Sequence, residues 1–293
     1  MRLSKLFMPT LKEAPNDAII ASNKLMIRAA LARKISNGLY SYLPLGVRVL
    51  NKISNIIREE MDAIGSNECI MPILVSKELL TPSGRWERFK KELFRLKDRN
   101  DVDMAMGPTH EEAFTITAQN EIQSYKDLPV TLYQIHTKFR DEIRPRFGVI
   151  RSKEFTMKDA YSFHITKECL DKTYNDMSGA YTKIFKRMGL DTVSVKADSG
   201  AMGGEGSEEF MVLSEVGEET IIFCSKCNYR ANVEKANVME DEEAKSYTDK
   251  ALEEVYTPDI KTIEDLEKFF NTSSKNFIKS IIYKTEEDEV ILV

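Results

Sequence analysis

The chain has 293 residues, 42% of them apolar and 30% charged, with a formal net charge of −5. That balance supports one large domain or two ordinary ones and gives no sign of disorder. No apolar run reaches the roughly 20 residues of a membrane span. There is no signal-peptide apolar segment at the start, and four cysteines are too few for a disulfide scaffold, so a cytoplasmic setting is expected.

Charge is unevenly spread. Beyond residue 230 there are 8 Lys+Arg against 16 Asp+Glu, leaving 34 against 31 for residues 1–230. A basic stripe nevertheless survives between Lys138 and Lys158, with seven basic residues and three acidic ones. Such a stripe permits contact with a polyanion.

In chain order, apolar residues at helical spacing (Val49, Ile53, Ile56, Ile57, Met61, Ile64) predict a helix over Leu45–Ile64, with Pro44 ahead of it and Gly65 to end it. Cys69–Leu74 reads as a short strand, placed at an edge because Pro72 has no donor. Asp103–Met106 reads as a strand leading through Gly107, Pro108 and Thr109 into a helix over His110–Asn120. Thr109 is a plausible cap there, with Glu111 and Glu112 in the first turn. Pro129–Phe139 and Val149–Met157 form a predicted hairpin, and Lys167–Met188 a helix ended by Gly189. Strands follow at Thr192–Lys196, Glu209–Leu213 and Thr220–Phe223. Helices and strands alternate without a regular parallel-sheet rhythm, so the class is α+β.

The hairpin carries the chemistry. In FRDEIRPRFGVIRSKEFTMKD (Phe139–Asp159), alternation predicts Arg140 and Glu142 on one face and Arg151, Lys153 and Phe155 on one face of the returning strand. Two guanidiniums, a carboxylate and a ring suit a phosphoryl group and a base. His136 and His164 read as hydrogen-bonded structural or pocket residues. Cys224-x-x-Cys227 lacks a second ligand pair nearby, so no metal site is expected; the pair marks a turn instead.

These segments resemble a known family. FRDE with RSKEFTMKDAYSF is similar to motif 2 of class II aminoacyl-tRNA synthetases in its bacterial prolyl form. GPTHEEAFT resembles that family's TxE loop, and GLYSYLPLGVRVLNKISNIIREEMDAIGSNECIMPIL its motif 1 region. Together the matches cover nearly all of residues 1–223. The resemblance implies an antiparallel sheet flanked by helices, a homodimer through motif 1, activation of proline with ATP and Mg2+, and transfer of the prolyl group to tRNA(Pro).

By position the resemblance assigns Arg140 to the α-phosphate and the proline carboxylate, Glu142 and Arg151 to the nucleotide, and Phe155 to stacking on adenine. Thr109 and Glu111 would bind the imino group, with Met157, Tyr161 and Phe163 as pocket wall; those three could equally be core. Arg144 and Arg146 would reach the tRNA acceptor stem, or else be solvated charge. GAMGGEGSEEF (Gly200–Phe210) is similar to a glycine-rich family stretch, but Glu208 stands where the family commonly has histidine.

Residues 1–223 are thus expected to be the motif 1 and 2 part of a catalytic domain, and 224–293 the beginning of an editing insertion. Editing has a physical motive, since alanine enters a proline pocket at modest loss. Lys279 matches a family lysine proposed to contact the aminoacyl-tRNA end, and is as readily a solvated lysine. The family's motif 3 and its magnesium ligands are expected beyond Val293. Alternatives to the prolyl reading are a threonyl or seryl synthetase, or an inactive tRNA-binding or dimerisation module lacking motif 3.

Overall fold

A computed structural model describes residues 2–197, 206–237, 251, 253–258, 260–278, 280, 282–284 and 290–292. Within them lie α1 (Ala21–Arg28), β1 (Ala32–Ser36), β2 (Leu39–Tyr42), α2 (Pro44–Ala63), β3 (Asn67–Glu68), β4 (Leu74–Ser76), α3 (Lys77–Leu80) and α4 (Arg85–Arg88). There follow β5 (Arg95–Lys97), β6 (Asp103–Met106), α5 (Glu111–Glu121), β7 (Val130–Phe139), β8 (Glu154–Phe163), α6 (Lys167–Arg187), β9 (Thr192–Ala197) and β10 (Ser207–Val212). The order closes with β11 (Ile221–Phe223), β12 (Arg230–Asn232), α7 (Ile263–Phe270), β13 (Ile282–Lys284) and β14 (Val290–Leu292). The predicted α+β class is what is found. Contacts divide the chain into two compact units, residues 1–237 and 238–293.

In the first unit β7 and β8 form an antiparallel pair in unbroken register from Val130↔Phe163 to Phe139↔Glu154, with β3 running parallel to β7. The run VTLYQIHTKF is rich in β-branched and aromatic residues that fit a pleated, half-buried surface. One face of this sheet meets the long helices. The Tyr133 hydroxyl donates to Asp62 of α2 at 3.1 Å, and Lys158 lies over the Tyr181 ring of α6. The opposite face meets α5, where Phe114 is fully buried and its ring centroid lies 4.5 Å from that of Tyr161. A second sheet, ordered β4-β6-β5, covers a core of Val75, Leu80, Trp86, Phe89, Leu93 and Ala105. A third, ordered β10-β9-β12-β11, takes in the hairpin whose turn holds Cys224 and Cys227.

Local rules explain the helix ends. Pro44 opens α2 at a position where its missing N–H costs nothing, and Gly65 follows its end at φ +78°. Thr166 caps α6 by accepting from the Cys169 N–H, and Gly189 ends it at φ +79°. Near the start of α2 the chain approaches so closely that a Cβ on Gly46 would sit 2.0 Å from the Leu31 carbonyl oxygen.

Several sequence expectations are corrected. Cys69–Leu74 is not one strand: β3 ends at Glu68 and β4 begins at Leu74, with donor-less Pro72 between them. The returning hairpin strand does not begin at Val149. Gly148–Ile150 is a 3-10 turn, Phe147 before it is left-handed at φ +58°, and β8 starts at Glu154 and runs on to Phe163. Arg140 to Glu142 and Arg151 therefore lie outside the strands, where the backbone is linked by a bond from the Arg140 N–H to the Lys153 carbonyl and a bridge between Arg146 and Arg151. Thr109 does not cap α5; His110 occupies the cap position with no side-chain cap bond.

In the second unit α7 opens with a capping box in which the Thr262 hydroxyl accepts from the Asp265 N–H and the Asp265 carboxylate accepts from the Thr262 N–H. Strands β13 and β14 pair antiparallel.

Candidate active site

The candidate residues gather because of strand parity. In the β7–β8 register Lys138 pairs with Phe155, His136 with Met157, Gln134 with Asp159, Leu132 with Tyr161 and Val130 with Phe163. Phe155, Met157, Tyr161 and Phe163 thus line one sheet face, the face toward α5. Arg140 joins them from the end of β7, with its guanidinium carbon 5.5 Å from the Phe155 ring centroid. Its Nε approaches the Pro108 carbonyl oxygen at 3.4 Å, and the Phe139 N–H donates to the Gly107 carbonyl. The TxE loop and the end of β7 are therefore fastened together.

Thr109 and Glu111 meet at this junction. The Thr109 hydroxyl donates to Glu111 Oε2 at 2.5 Å and lies 3.3 Å from the Tyr161 hydroxyl, which also accepts from the His110 N–H. Tyr161 in turn donates to Asp159 Oδ2 at 2.8 Å. Burial, followed by the nearby Glu111 charge, pushes the Tyr161 hydroxyl well above its ordinary range, so it remains a neutral donor.

Asp159 is the anchor. Its Oδ2 also accepts from Gln134 at 3.0 Å, and Gln134 accepts from the Met71 N–H. Its Oδ1 lies 2.8 Å from Lys138 Nζ, a contact of charges without hydrogen-bond alignment, with Lys138 fully buried. Burial lowers the Lys138 ammonium from its usual range, while Asp159 opposes that shift. His110 and His136 are also lowered by burial, and in both Nδ1 lacks a partner among the described residues. His110 Nε2 faces the Pro72 carbonyl at 3.0 Å.

The other candidates stand apart from that face. Glu142 pairs with Arg151 at 3.0 Å, and Glu218 bridges Arg146 Nε at 2.8 Å and Arg151 at 3.9 Å. Lys153 pairs with Asp141. The expected shared face of Arg151, Lys153 and Phe155 is therefore not formed: each basic side chain has its own carboxylate, and only Phe155 reaches Arg140. Arg144 lies in the connecting loop. Lys279 and residues 200–205 lie outside the described residues, while Glu208 accepts from the Ser194 hydroxyl at 2.9 Å across β9–β10.

Sequence reasoning missed Arg85, Gln134, Lys138 and Asp159. Lys138 and Asp159 carried a signal in parity, sitting two residues from Arg140 and Tyr161 respectively. Arg85 carried none: it lies 26 positions before Glu111, yet its Nη1 contacts Glu111 Oε2 at 2.9 Å and Glu112 Oε1 at 3.2 Å. Chemically the arrangement offers a carboxylate for a cationic nitrogen, a guanidinium for an anion and an aromatic ring beside it. Among the described residues no group of three or more His, Cys, Asp or Glu side chains could hold a metal ion, and no helix is long and apolar enough to cross a membrane.

Residues 94–258 match the family model described as tRNA synthetase class II core domain (G, H, P, S and T). The proline-tRNA ligase of Brachyspira hyodysenteriae is 96% identical over 293 residues, covering 100% of this chain and 51% of that protein. That of Caldicellulosiruptor saccharolyticus is 54% identical over 293 residues, again covering 100% and 51%. The chain spans about half the length of the curated relatives it matches. Giardia lamblia prolyl-tRNA synthetase in complex with prolyl-adenylate aligns with a TM-score of 0.55 at 24% identity, covering 59% of this chain and 36% of that chain. That likeness carries the fold, a sheet flanked by helices. With more than half its length matched by the family model, the chain belongs to the class II tRNA synthetase core-domain family.

Proposed function

We propose that the protein activates proline with ATP and passes the prolyl group to tRNA(Pro). The observation that carries this reading is the meeting of Arg140, Phe155, Thr109 and Glu111 at one sheet face. The names of the relatives favour proline as the amino acid.

In the first step a proline carboxylate oxygen attacks the α-phosphorus as its bond to pyrophosphate breaks. Arg140 holds the carboxylate and the α-phosphate together and meets the charge that grows there, which converts a two-body encounter into an oriented one. Phe155 stacks on adenine, and the Glu142–Arg151 pair orients the nucleotide. Both contacts to Glu111 from Thr109 and Arg85 fall on Oε2, which leaves Oε1 to accept from the secondary ammonium. Met157, Tyr161 and Phe163 wall the ring. In the second step the 3′-terminal hydroxyl of tRNA attacks the prolyl carbonyl and AMP leaves, with Arg144 and Arg146 on acceptor-stem phosphates.

Among the described residues no group of three or more carboxylate, histidine or cysteine side chains could hold a metal ion, so Mg2+ finds no fit among them and its ligands are expected elsewhere in the enzyme. Exposed Ile35, Val47 and Ile70 in and around the motif 1 region support a homodimer through it. Residues 224–293 begin an editing insertion, with Lys279 at the aminoacyl end, and the enzyme works in the cytoplasm. Proline-dependent exchange of labelled pyrophosphate into ATP tests the reading in the complete reading frame, its Arg140→Ala variant and this chain alone. Exchange in the complete unmutated protein that Arg140→Ala abolishes is expected. No exchange with proline or any other amino acid overturns it.

A further inference from the structure

We propose that Arg85 is a positioning residue that fixes the aim and charge of the amine-binding carboxylate. This inference rests on the proline-pocket reading above. Arg85 is nine-tenths buried at the first position of α4, where the Ser83 hydroxyl lies 3.4 Å from its N–H. A single Nη1 contacts Glu111 Oε2 at 2.9 Å and Glu112 Oε1 at 3.2 Å, and the Ser83 hydroxyl supports Glu112 at 2.6 Å.

Glu111 lies between the sheet face and a cleft. On one side lies the sheet face with Thr109 and Tyr161; on the other is a cleft of 560 Å³ lined by Arg85, Arg88, Glu112, Thr115 and Ile116 as well as Glu111 itself. A glutamate has three rotatable bonds, and this cleft gives its carboxylate room to turn away from the sheet. Two anchors on Oε2, the Thr109 hydroxyl and the Arg85 guanidinium, hold it in place. Arg85 also sets the charge. The adjacent carboxylates at 111 and 112 repel each other, and one buried guanidinium shared between them offsets that repulsion while leaving Glu111 an anionic acceptor for a cationic nitrogen. Lysine is a poorer substitute, because its point charge sits on a flexible stem.

The test uses the complete protein and pyrophosphate exchange, with KM for proline and KM for ATP measured separately in Arg85→Met and Arg85→Lys. Loss of one charge-assisted anchor on Glu111 raises the proline KM by about 10- to 100-fold, while kcat and the ATP KM stay within about twofold; Arg85→Lys recovers part of the loss. A proline KM unchanged in both variants overturns the inference, as does an equal rise in both KM values, which marks a merely structural role. If Arg85→Met fails to fold, Arg85→Lys is read by the same two criteria. Absence of proline-dependent exchange in the unmutated protein overturns the functional reading instead.

Discussion

Replacing Lys138 by methionine isolates the anchor beneath the site. Lys138 is fully buried and its partner Asp159 is 8% exposed, with 2.8 Å between the charges. Methionine keeps most of the side-chain volume and removes the ammonium, so Asp159 Oδ1 loses its cation while Oδ2 keeps the Tyr161 and Gln134 donors. Breaking a buried pair from one side costs about 3–5 kcal/mol, and the two remaining donors place the expected loss near the lower figure, about 3 kcal/mol. For a unit of this size that lowers the melting temperature by roughly 6–12 °C. Urea unfolding followed by fluorescence of buried Trp86 measures it, with Asp159→Leu and the double variant completing a cycle. The double variant should be more stable than the sum of the single losses predicts, by about 1–3 kcal/mol. A loss below about 1 kcal/mol for Lys138→Met, or strictly additive single losses, would refute the pair as the anchor.

Three further outcomes follow from geometry given above. Gly46→Ala places a Cβ 2.0 Å from a backbone oxygen that cannot move aside, so a loss of about 3 kcal/mol is expected in the same unfolding assay. Burial lowers His110 and His136, so the unfolded chain binds more protons than the fold just below the ordinary histidine value. Stability therefore rises with pH toward about 6.5 and is lost on acidification, with a slope of up to about 1.4 kcal/mol per pH unit for each histidine; unfolding of His110→Asn between pH 5 and 7 should show a shallower slope. Glu218→Gln frees Arg146 at a half-exposed site while Arg151 keeps Glu142, so melting should shift by less than about 1 kcal/mol equivalent; on the proposed acceptor-stem role of Arg146, tRNA binding by the complete protein tightens and its salt dependence steepens by about one charge.

What the sequence disclosed depended on range. The helices over residues 44–63 and 167–187 were legible because apolar spacing, a proline and terminal glycines act within a few residues. Met157, Tyr161 and Phe163 stand two or four apart and do share one face of β8 with Phe155, but the sequence pattern carried the strand only to Met157, so that grouping was legible only in part. Alternation failed at Arg140–Glu142 and Arg151, where the loop needed a left-handed Phe147 and a short 3-10 turn that no local pattern announced. Cys69–Leu74 failed because composition favours a strand there, while the break around Pro72 belongs to two different sheets. The ion contacts of Arg85 depend on how α4 comes to rest against α5, and nothing in a single sequence encodes that distance.

The alternation of β8 also governs what insertions and deletions this protein tolerates. Its odd-numbered side chains face the site and its even-numbered ones, Lys158 among them, face the long helices. Loss of one residue between Phe155 and Tyr161 would exchange the two sets on part of the strand, sending an aspartate and a tyrosine toward α6 and a lysine toward the substrate face. Length variation among functional descendants of this chain should therefore fall in residues 140–153, the irregular connection that carries Arg144 and Arg146, or come in pairs within the strand.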